Sequence, residues 1–377
     1  MFVYNFDYCY TGNIMNKNMI SWASPLLFKN EHEFVTQALK SSWISGGKYI
    51  VKFENYIKKK FKIKNAFLVS NGTAAIHAAF LSVNLKYGDE IVAPGYGYMA
   101  AANIGNLMGL NVKFSDVDRE TFCANLQSIK KVITKKTKAV VVTHTYGNMQ
   151  EIFKIKFFLK KKNILLIEDA AESFGCKDLK NYAGTVGDIG TYSFHATKNI
   201  VMGEGGMVVT NNKNYAKKLM LYRSHGVKHE RYKHLLFGHN FRITNVQAAI
   251  GCGQIQNLLK IQKKRISIYK WYTDFLDLNK IRLQKITNSS FIPWTLALTL
   301  NSDMKKPQYI LDKLLKYNIE IRKGFYSANR LNIYKNNYLK DLKNSNYLSK
   351  NIICLPLHLR LRKKDVKYIC KIFNKLI

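Results

Sequence analysis

The chain has 377 residues, of which 47% are hydrophobic and 13% aromatic, with only 5 prolines. This composition excludes a disordered or fibrous protein and indicates two or three globular domains. The 60 basic and 24 acidic side chains give a net charge of +36. Because the lysines are spread along the whole chain, whereas nucleic-acid-binding proteins usually concentrate them on one face, we expect no specific nucleic-acid partner. The positive electrostatic field of such a basic chain could instead attract anionic small substrates.

The predicted elements begin after residue 18, since residues 1–18 show no clear periodicity and are expected to be loosely ordered. Short apolar runs then alternate with helical stretches up to about residue 210. The runs that predict strands are 66–70, 90–93, 111–116, 139–144, 163–169, 190–196 and 207–211, and those that predict helices are 73–84, 98–109 and 151–162. Continuous apolar strands separated by helices predict an α/β fold with a mostly parallel central sheet.

A second, smaller alternation follows. The predicted elements are helices at 213–223 and 243–277, a strand at 291–300, a helix at 306–317, a short strand at 318–323 and a closing helix at 365–373. We therefore predict a large domain over residues 19–255 and a smaller C-terminal α/β domain over residues 256–377.

The location and the cofactor class are constrained by what the sequence lacks. Its cysteines and histidines show neither disulfide nor metal-ligand spacing, so no metal site is expected. No apolar run approaches the roughly 18 residues of a membrane span. The N-terminus has no basic start followed by an apolar stretch, which is the pattern of a secretory signal. These features predict a cytoplasmic protein without membrane insertion.

Two motifs lie where predicted strands end, which is where ligands bind in open α/β sheets. The sequence SNGTA at 70–74 places small residues at a helix N-terminus, where backbone N–H groups can hold an anion, although an ordinary capped turn has the same residues. Asp169 is the last residue of a predicted buried strand, and a carboxylate there needs a partner such as a protonated pyridine. A helix-capping aspartate explains the second motif equally well.

A third motif, GTYSFHATKNIVMGEGG, contains Ser193, His195 and Lys198. Lys198 fits a Schiff-base nucleophile, because burial would lower its pKa and keep its amine reactive. Most lysines of so basic a chain lie in solvent. Lys198 differs from them because an apolar strand precedes it and a glycine-rich turn follows it.

In this order and spacing, the motifs resemble the DegT/StrS-type family of pyridoxal-phosphate-dependent sugar aminotransferases. The resemblance begins with the WISGG turn in residues 19–55. It continues through SNGTAAIHAA, IEDAAESFG, GTYSFHATKN and GHNFRITNVQAAIG to NIICLPLHLRL at 351–361. It implies fold type I of these enzymes, pyridoxal 5'-phosphate as cofactor and pyridoxamine phosphate as its intermediate form.

The resemblance also assigns cofactor-binding residues. Lys198 matches the catalytic lysine that carries the cofactor, and Asp169 matches the carboxylate that pairs with the pyridine nitrogen. Tyr98 falls where the family places a ring stacked on the cofactor, and Glu172 falls where many members have a glutamine near its phenolic oxygen. The phosphate-binding positions are matched by Thr73, Ala74 and Ser193.

Further matches concern the partner subunit and the substrate. Asn240 matches a residue that reaches the neighbouring subunit's cofactor phosphate, so the resemblance implies a homodimer with shared active sites. Candidate substrate-binding residues are Trp43, in the WISGG turn, and Tyr326. Asn329 completes this set, because it stands where many members carry a substrate-facing histidine.

The implied reaction moves an amino group from an amino acid, glutamate, to a keto-deoxy sugar nucleotide for surface glycan synthesis. Glu172 and the later GEGG resemble members that act at sugar position 4, such as perosamine synthases. Three alternatives remain open. The acceptor could be a 3-keto sugar nucleotide or a keto-inositol. The chain could be a related dehydratase, although those carry histidine in place of Lys198. It could also be a basic binding or regulatory protein that retains the fold.

Overall fold

The structure, a computed structural model, describes residues 19–228, 230, 232–301, 306–338 and 341–377. The predicted loose order of residues 1–18 lies outside the described residues. Within them, the strands are β1 Asn65–Val69, β2 Glu90–Pro94, β3 Asn111–Ser115, β4 Thr137–Thr143, β5 Leu165–Asp169, β6 Lys177–Asp178, β7 Asn181–Tyr182, β8 Ile189–Ser193, β9 Gly206–Thr210, β10 Ile281–Leu283, β11 Leu296–Leu300, β12 Arg322–Lys323 and β13 Ile353–Leu355.

The large sheet confirms the predicted mostly parallel arrangement. Its seven described strands have the order β1-β9-β8-β5-β4-β2-β3. The run from β8 through β5, β4 and β2 to β3 is parallel, whereas β9 is antiparallel to both of its neighbours. Strands β2, β8 and β9 are buried along their whole length, as their continuous apolar sequences predict.

The C-terminal sheet has the order β10-β11-β13-β12 and is antiparallel throughout its described strands. The predicted strand at 291–300 is shorter in the structure, Leu296–Leu300. Pro293 explains the loss of its first half, because proline has no N–H to donate to a sheet. The two sheets fall on either side of the predicted domain boundary in the sequence, and the boundary itself stays a prediction.

Helices cover the sheets. In the described residues they are Lys29–Lys40, Lys48–Phe61, Gly72–Ser82, Ala100–Leu107, Leu126–Val132, Ile152–Lys161, Lys213–Arg223, Asn245–Gln256, Leu258–Phe275, Pro307–Lys316, Lys343–Asn351 and Lys363–Leu376. The prediction of one continuous helix over 243–277 was wrong, because two helices meet at Asn257. The side-chain amide of Asn257 donates to the Gly253 carbonyl at 3.2 Å, and its backbone has left helical geometry at φ −97° and ψ 10°. No helix among the described residues has the length and apolar character needed to cross a membrane.

Strand register brings the three sequence motifs to one edge of the large sheet. Asp169 pairs with Thr191 of β8, and Ser193 at the end of β8 pairs with Gly206, which also pairs with Val69 at the end of β1. Because β1, β5 and β8 run in the same direction, their carboxyl ends lie side by side. The residues that follow these strands therefore surround one space.

Candidate active site

A cavity of about 1350 Å³ opens at this edge of the sheet. All of the predicted cofactor-binding residues line it, namely Thr73, Ala74, Tyr98, Asp169, Glu172, Ser193, Lys198 and Asn240. The predicted substrate-binding residues do not line it. Trp43 and Tyr326 are 70% and 53% exposed, and Asn329 accepts a hydrogen bond from the Ser327 hydroxyl at 2.7 Å. The roles of these three residues stay predictions.

The start of the helix Gly72–Ser82 forms one wall. Asn71 caps this helix, since its Oδ1 accepts the N–H of Ala74 at 2.8 Å. The N–H groups of Gly72 and Thr73 have no acceptor among the described residues. A Cβ on Gly72 would lie 2.9 Å from the Cβ of Ser193, so only glycine lets the helix start approach β8 this closely. Two free N–H groups beside a serine hydroxyl suit a phosphate group.

Asp169 lies deeper in the cavity, at the carboxyl end of β5, and is 3% exposed. Its Oδ1 accepts the N–H of Ala171 at 3.1 Å. Burial raises the pKa of Asp169, while the Ala171 N–H and the charges of Lys198 and His144 lower it. A buried carboxylate with so little hydrogen bonding is stabilised by a cation. The protonated nitrogen of a pyridine ring is such a cation, so this residue fits the cofactor that the resemblance implies.

Lys198 and Glu172 form an ion pair with 3.7 Å between Nζ and Oε1, and their side chains are 13% and 2% exposed. Burial lowers the pKa of Lys198, and the neighbouring carboxylates of Glu172 and Asp169 oppose this effect. Burial also raises the pKa of Glu172 to about 7. The N–H of Tyr146 donates to the other oxygen of Glu172 at 2.8 Å and fixes its position. Burial therefore shifts the pKa values of the amine and the carboxyl toward each other, which is typical of groups at functional sites.

Trp294 is the neighbour of Lys198 that sequence reasoning missed. Its ring lies under the lysine, with 3.8 Å between Nζ and the ring centroid. The indole N–H donates to the Thr197 carbonyl at 2.7 Å, which ties the ring to the lysine loop. Trp294 is nearly parallel to Tyr146 and Phe325, at interplanar angles of 20° and 11°. The sequence contains no signal for this contact, because Trp294 lies far along the chain from the lysine motif.

The outer part of the cavity is aromatic and basic. Tyr98 is 63% exposed and meets Phe325 edge-on, with 6.2 Å between ring centroids. Arg322 and Lys323 also line the cavity, which the sequence analysis did not predict. Asn240 lies on the wall of its own chain's cavity, where its Oδ1 accepts the Nε–H of Arg242 at 3.0 Å. Its predicted contact with a neighbouring subunit stays a prediction.

The fold and the lysine–carboxylate cavity define a pyridoxal-phosphate-dependent transferase. The model of the DegT/DnrJ/EryC1/StrS aminotransferase family matches residues 26–374, and the chain belongs to this family.

Two relatives are GDP-perosamine synthases. That of Escherichia coli O157:H7 is 34% identical over 356 residues, which cover 93% of this chain and 96% of the relative. That of Vibrio cholerae is 34% identical over 357 residues, which cover 93% and 97%.

Solved structures agree with the fold. E. coli GDP-4-keto-6-deoxy-D-mannose-3-dehydratase with bound hydrated PLP superposes with a TM-score of 0.88 at 25% identity, covering 94% of this chain and 98% of that chain. The Helicobacter pylori aminotransferase PseC superposes with a TM-score of 0.89 at 23% identity, covering 95% and 98%. Together, these matches confirm the predicted family, the fold type and the class of enzyme, a pyridoxal-phosphate-dependent aminotransferase.

Proposed function

We propose that this enzyme transfers an amino group from glutamate to carbon 4 of a keto-deoxy sugar nucleotide, and that the product enters surface glycan synthesis. The observation that carries the proposal is the largely enclosed amine of Lys198 beside the buried Glu172, in one cavity with Asp169. The choice of a keto-sugar nucleotide as acceptor is supported by the relatives, because two GDP-perosamine synthases are 34% identical to this chain over nearly its whole length.

When bound, pyridoxal phosphate supplies the carbonyl carbon that receives the amino group and a ring that delocalises the electron pair left by a departing proton. Lys198 would carry the cofactor and, once displaced by the donor, move a proton from the donor's α-carbon to the cofactor's carbonyl carbon. Asp169 would hold a proton on the ring nitrogen. The free N–H groups of Gly72 and Thr73 would bind the phosphate.

The proton on Lys198 is controlled by its surroundings. Burial favours the neutral amine, which can accept a proton, while Glu172 at 3.7 Å favours the protonated form. Opposed effects of this kind bring the pKa of an amine closer to the working pH, and an amine with such a pKa can both take and return a proton. The second half-reaction uses the same groups in reverse, with the sugar's keto carbon as the acceptor of the amino group.

The cavity also suits an anionic sugar nucleotide. Its volume of about 1350 Å³ exceeds that of an ordinary small-molecule pocket and leaves room beside the cofactor. Arg322 and Lys323 line it, and the net charge of +36 would attract a nucleotide diphosphate from solution. We include in the proposal a homodimer in which Asn240 reaches the phosphate of the partner's cofactor.

The main competing reaction is the removal of a hydroxyl group by a dehydratase. It is favoured by the solved structure of a GDP-4-keto-6-deoxy-D-mannose-3-dehydratase, which superposes with a TM-score of 0.88. Lys198 argues against it, because the related dehydratases carry histidine there. A regulatory role has a precedent in the "Pleiotropic regulatory protein" of Geobacillus stearothermophilus, 33% identical over 64% of this chain. Aminations at a 3-keto sugar or a keto-inositol remain alternatives within the same reaction.

The test is a panel assay with purified, cofactor-loaded enzyme. GDP-, UDP- and dTDP-linked 4-keto and 3-keto sugars and a keto-inositol are each incubated with glutamate or glutamine, and the products are identified by mass spectrometry and NMR. We expect a 4-amino sugar nucleotide and 2-oxoglutarate. Lys198→Ala should reduce turnover at least 10²–10⁴-fold, the contribution typical of a positioned base. Lys285→Ala, at an exposed lysine, is the matched control. Loss of the C3 hydroxyl without amination would overturn the proposal.

The shared site is tested by subunit mixing. If Asn240 acts in the partner's site, a dimer of one Lys198→Ala chain and one Asn240→Ala chain has one intact site. Random exchange should then restore about one quarter of the wild-type activity. If Asn240 acts in the site of its own chain, the mixture stays inactive and this part of the proposal fails.

A further inference from the structure

The indole ring of Trp294 is held from several sides. Trp294 is 7% exposed, and its indole N–H donates to the Thr197 carbonyl at 2.7 Å. The ring of Trp22 packs against it at right angles, with 5.6 Å between the ring centroids. Tyr146 and Phe325 lie nearly parallel to it, at centroid distances of 6.1 and 6.5 Å. These contacts fix the orientation of the ring.

Arg265 joins the backbones of Trp294 and Lys198. It is 4% exposed, and its Nη1 donates to the carbonyls of Pro293 and Trp294 at 3.3 and 3.2 Å. Its Nη2 donates to the Lys198 carbonyl at 3.2 Å. One buried guanidinium therefore fixes the backbone that carries the lysine relative to the backbone that carries the ring, although the two residues lie far apart in the sequence.

The amine of Lys198 lies close to two groups of this site. Its Nζ is 3.7 Å from Oε1 of Glu172 and 3.8 Å from the ring centroid of Trp294. The first distance is longer than the roughly 2.7–3.2 Å of an N–H···O hydrogen bond, so Glu172 attracts the amine without fixing its direction. The second lies well inside the range of about 6 Å over which the face of an indole attracts a cation. The lysine side chain is 13% exposed, so little water competes with the ring.

Glu172 and Trp294 differ in what they can do with a proton on the amine. A carboxylate stabilises an ammonium group and can also take its proton, because the carboxylate is itself a base. The face of an indole stabilises the charge, but it offers no basic atom to which the proton could move. The ring can therefore favour the protonated amine without competing for the proton.

We propose that Trp294 is a positioning residue for amino-group transfer, whose ring face receives the Lys198 amine once the donor has displaced it and stabilises that amine while it carries the proton. Trp294 acts through the lysine and is not itself a catalytic residue. The inference rests on the proposed role of Lys198. It does not depend on the identity of the acceptor, since the lysine moves a proton in both half-reactions.

The experiment compares two substitutions that both remove the indole N–H. Trp294→Phe keeps an aromatic face, whereas Trp294→Leu keeps apolar volume without such a face. A difference between the two variants therefore reports the ring face and not the lost hydrogen bond to Thr197. Trp271→Phe and Trp271→Leu are the matched controls, because the Trp271 ring centroid lies 4.5 Å from Nζ of Lys264, outside the cavity. Fluorinated tryptophans inserted at position 294 keep the N–H and the ring shape while they draw electron density from the face, and they decide if Trp294→Leu does not fold.

The charged surroundings of the amine stay the same in every variant. Burial lowers the pKa of Lys198, and the carboxylates of Glu172 and Asp169 raise it. His195 lies within electrostatic reach of the amine, and Arg265 donates to the lysine carbonyl. A difference in the titration of Lys198 between variants at position 294 therefore comes from the ring.

The first measurement is the pH profile for loading the cofactor-free enzyme with pyridoxal phosphate, in which only the unprotonated amine reacts. We expect Trp294→Leu to move this profile about one pH unit lower, since the amine loses an interaction that favours its protonated form. A purely structural role would give a different sign. A loosened site would admit water, weaken the effect of burial and move the profile to higher pH.

The second measurement is a single-turnover reaction of the cofactor-loaded enzyme with glutamate. Trp294→Leu should slow this reaction about tenfold, the factor that corresponds to one pH unit, while the dissociation constant of the donor stays within about threefold. Trp294→Phe should recover most of both losses, and the fluorinated tryptophans should lie between the wild type and Trp294→Leu.

Two results would overturn the inference. One is equal behaviour of Trp294→Phe and Trp294→Leu, and the other is a loading profile of Trp294→Leu that is unshifted or moves to higher pH. A failure of the proposed function gives a different result. Borohydride would then trap the cofactor on a residue other than Lys198, as peptide mass spectrometry would show.

Discussion

Replacing Glu172 by glutamine tests whether a buried carboxyl tunes the catalytic lysine. Burial raises the pKa of Glu172 from the ordinary 4.5 to about 7. Between these pH values the folded protein keeps a proton that the unfolded chain has released. The stability that this group contributes is therefore fully present below pH 4.5 and is lost as the pH rises through 7. At about 1.4 kcal/mol per pH unit, the loss amounts to about 3 kcal/mol.

The assay is urea unfolding of the cofactor-free protein between pH 4.5 and 8, at one protein concentration. Glutamine has nearly the shape of glutamic acid and does not titrate. The wild type should therefore lose about 3 kcal/mol of unfolding free energy relative to Glu172→Gln across this range. Taking the difference between the two proteins cancels the titrating groups that Glu172 does not influence and leaves the contribution of Glu172 together with that of its partner Lys198. Glu204→Gln, at an exposed carboxylate on the edge of the same cavity, should follow the wild type.

A second readout concerns Lys198 directly. Glu172 raises the pKa of Lys198, so its removal should lower that pKa further. Only the unprotonated amine condenses with an aldehyde, so the pH profile for reloading with pyridoxal phosphate should shift to lower pH in Glu172→Gln. The coupling of Glu172 and Lys198 would be refuted if the unfolding free energies of the wild type and Glu172→Gln changed in parallel with pH and the reloading profile did not shift.

Two further substitutions test how the site is supported. In Gly206→Ala, the new Cβ would clash with the carbonyl oxygen of Asn71, at the start of the helix Gly72–Ser82. We therefore expect weaker cofactor binding in a fluorescence titration. Unchanged affinity would show that the helix start is free to move. Tyr96→Phe removes a hydroxyl that lies 2.8 Å from the Tyr146 hydroxyl and accepts the Phe325 N–H at 3.2 Å. The free energy of unfolding, measured in urea, should fall by about 1–3 kcal/mol. A change near zero would show that the Tyr146 hydroxyl and the Phe325 N–H find other partners.

Most of the large sheet could be predicted from the sequence because its strands are buried on both faces. The run NILLIED, for example, needs apolar residues along its whole length, and it forms β5 with Asp169 at its end. The helix Lys48–Phe61 has an equally clear reason to form, since Tyr49, Phe53, Ile57 and Phe61 make one buried face at helical spacing. The predicted elements do not include this helix, because residues 19–55 carry the family resemblance and no element was assigned to them from periodicity.

The cofactor side of the cavity was predictable for a different reason. Its residues follow strand ends, and parallel strands bring their carboxyl ends together whatever the loops do. No comparable rule predicts the positions of Trp294 and Arg265 from the sequence. They reach Lys198 from the other half of the chain, through a ring face at 3.8 Å and a hydrogen bond to its carbonyl at 3.2 Å. Contacts between distant segments depend on how the segments pack, which local periodicity does not encode.

The fold alone does not determine the reaction. A dehydratase and an aminotransferase superpose on this chain equally well, with TM-scores of 0.88 and 0.89. The reaction is determined by the residues of the site that transfer the proton, as on other folds that serve several activities. Here the Lys198 amine lies 3.7 Å from a carboxyl whose pKa burial raises to about 7, and 3.8 Å from the centroid of a ring whose face attracts cations. An amine in those surroundings can return the proton it removes, and reversible return of one proton is the step that amino-group transfer requires.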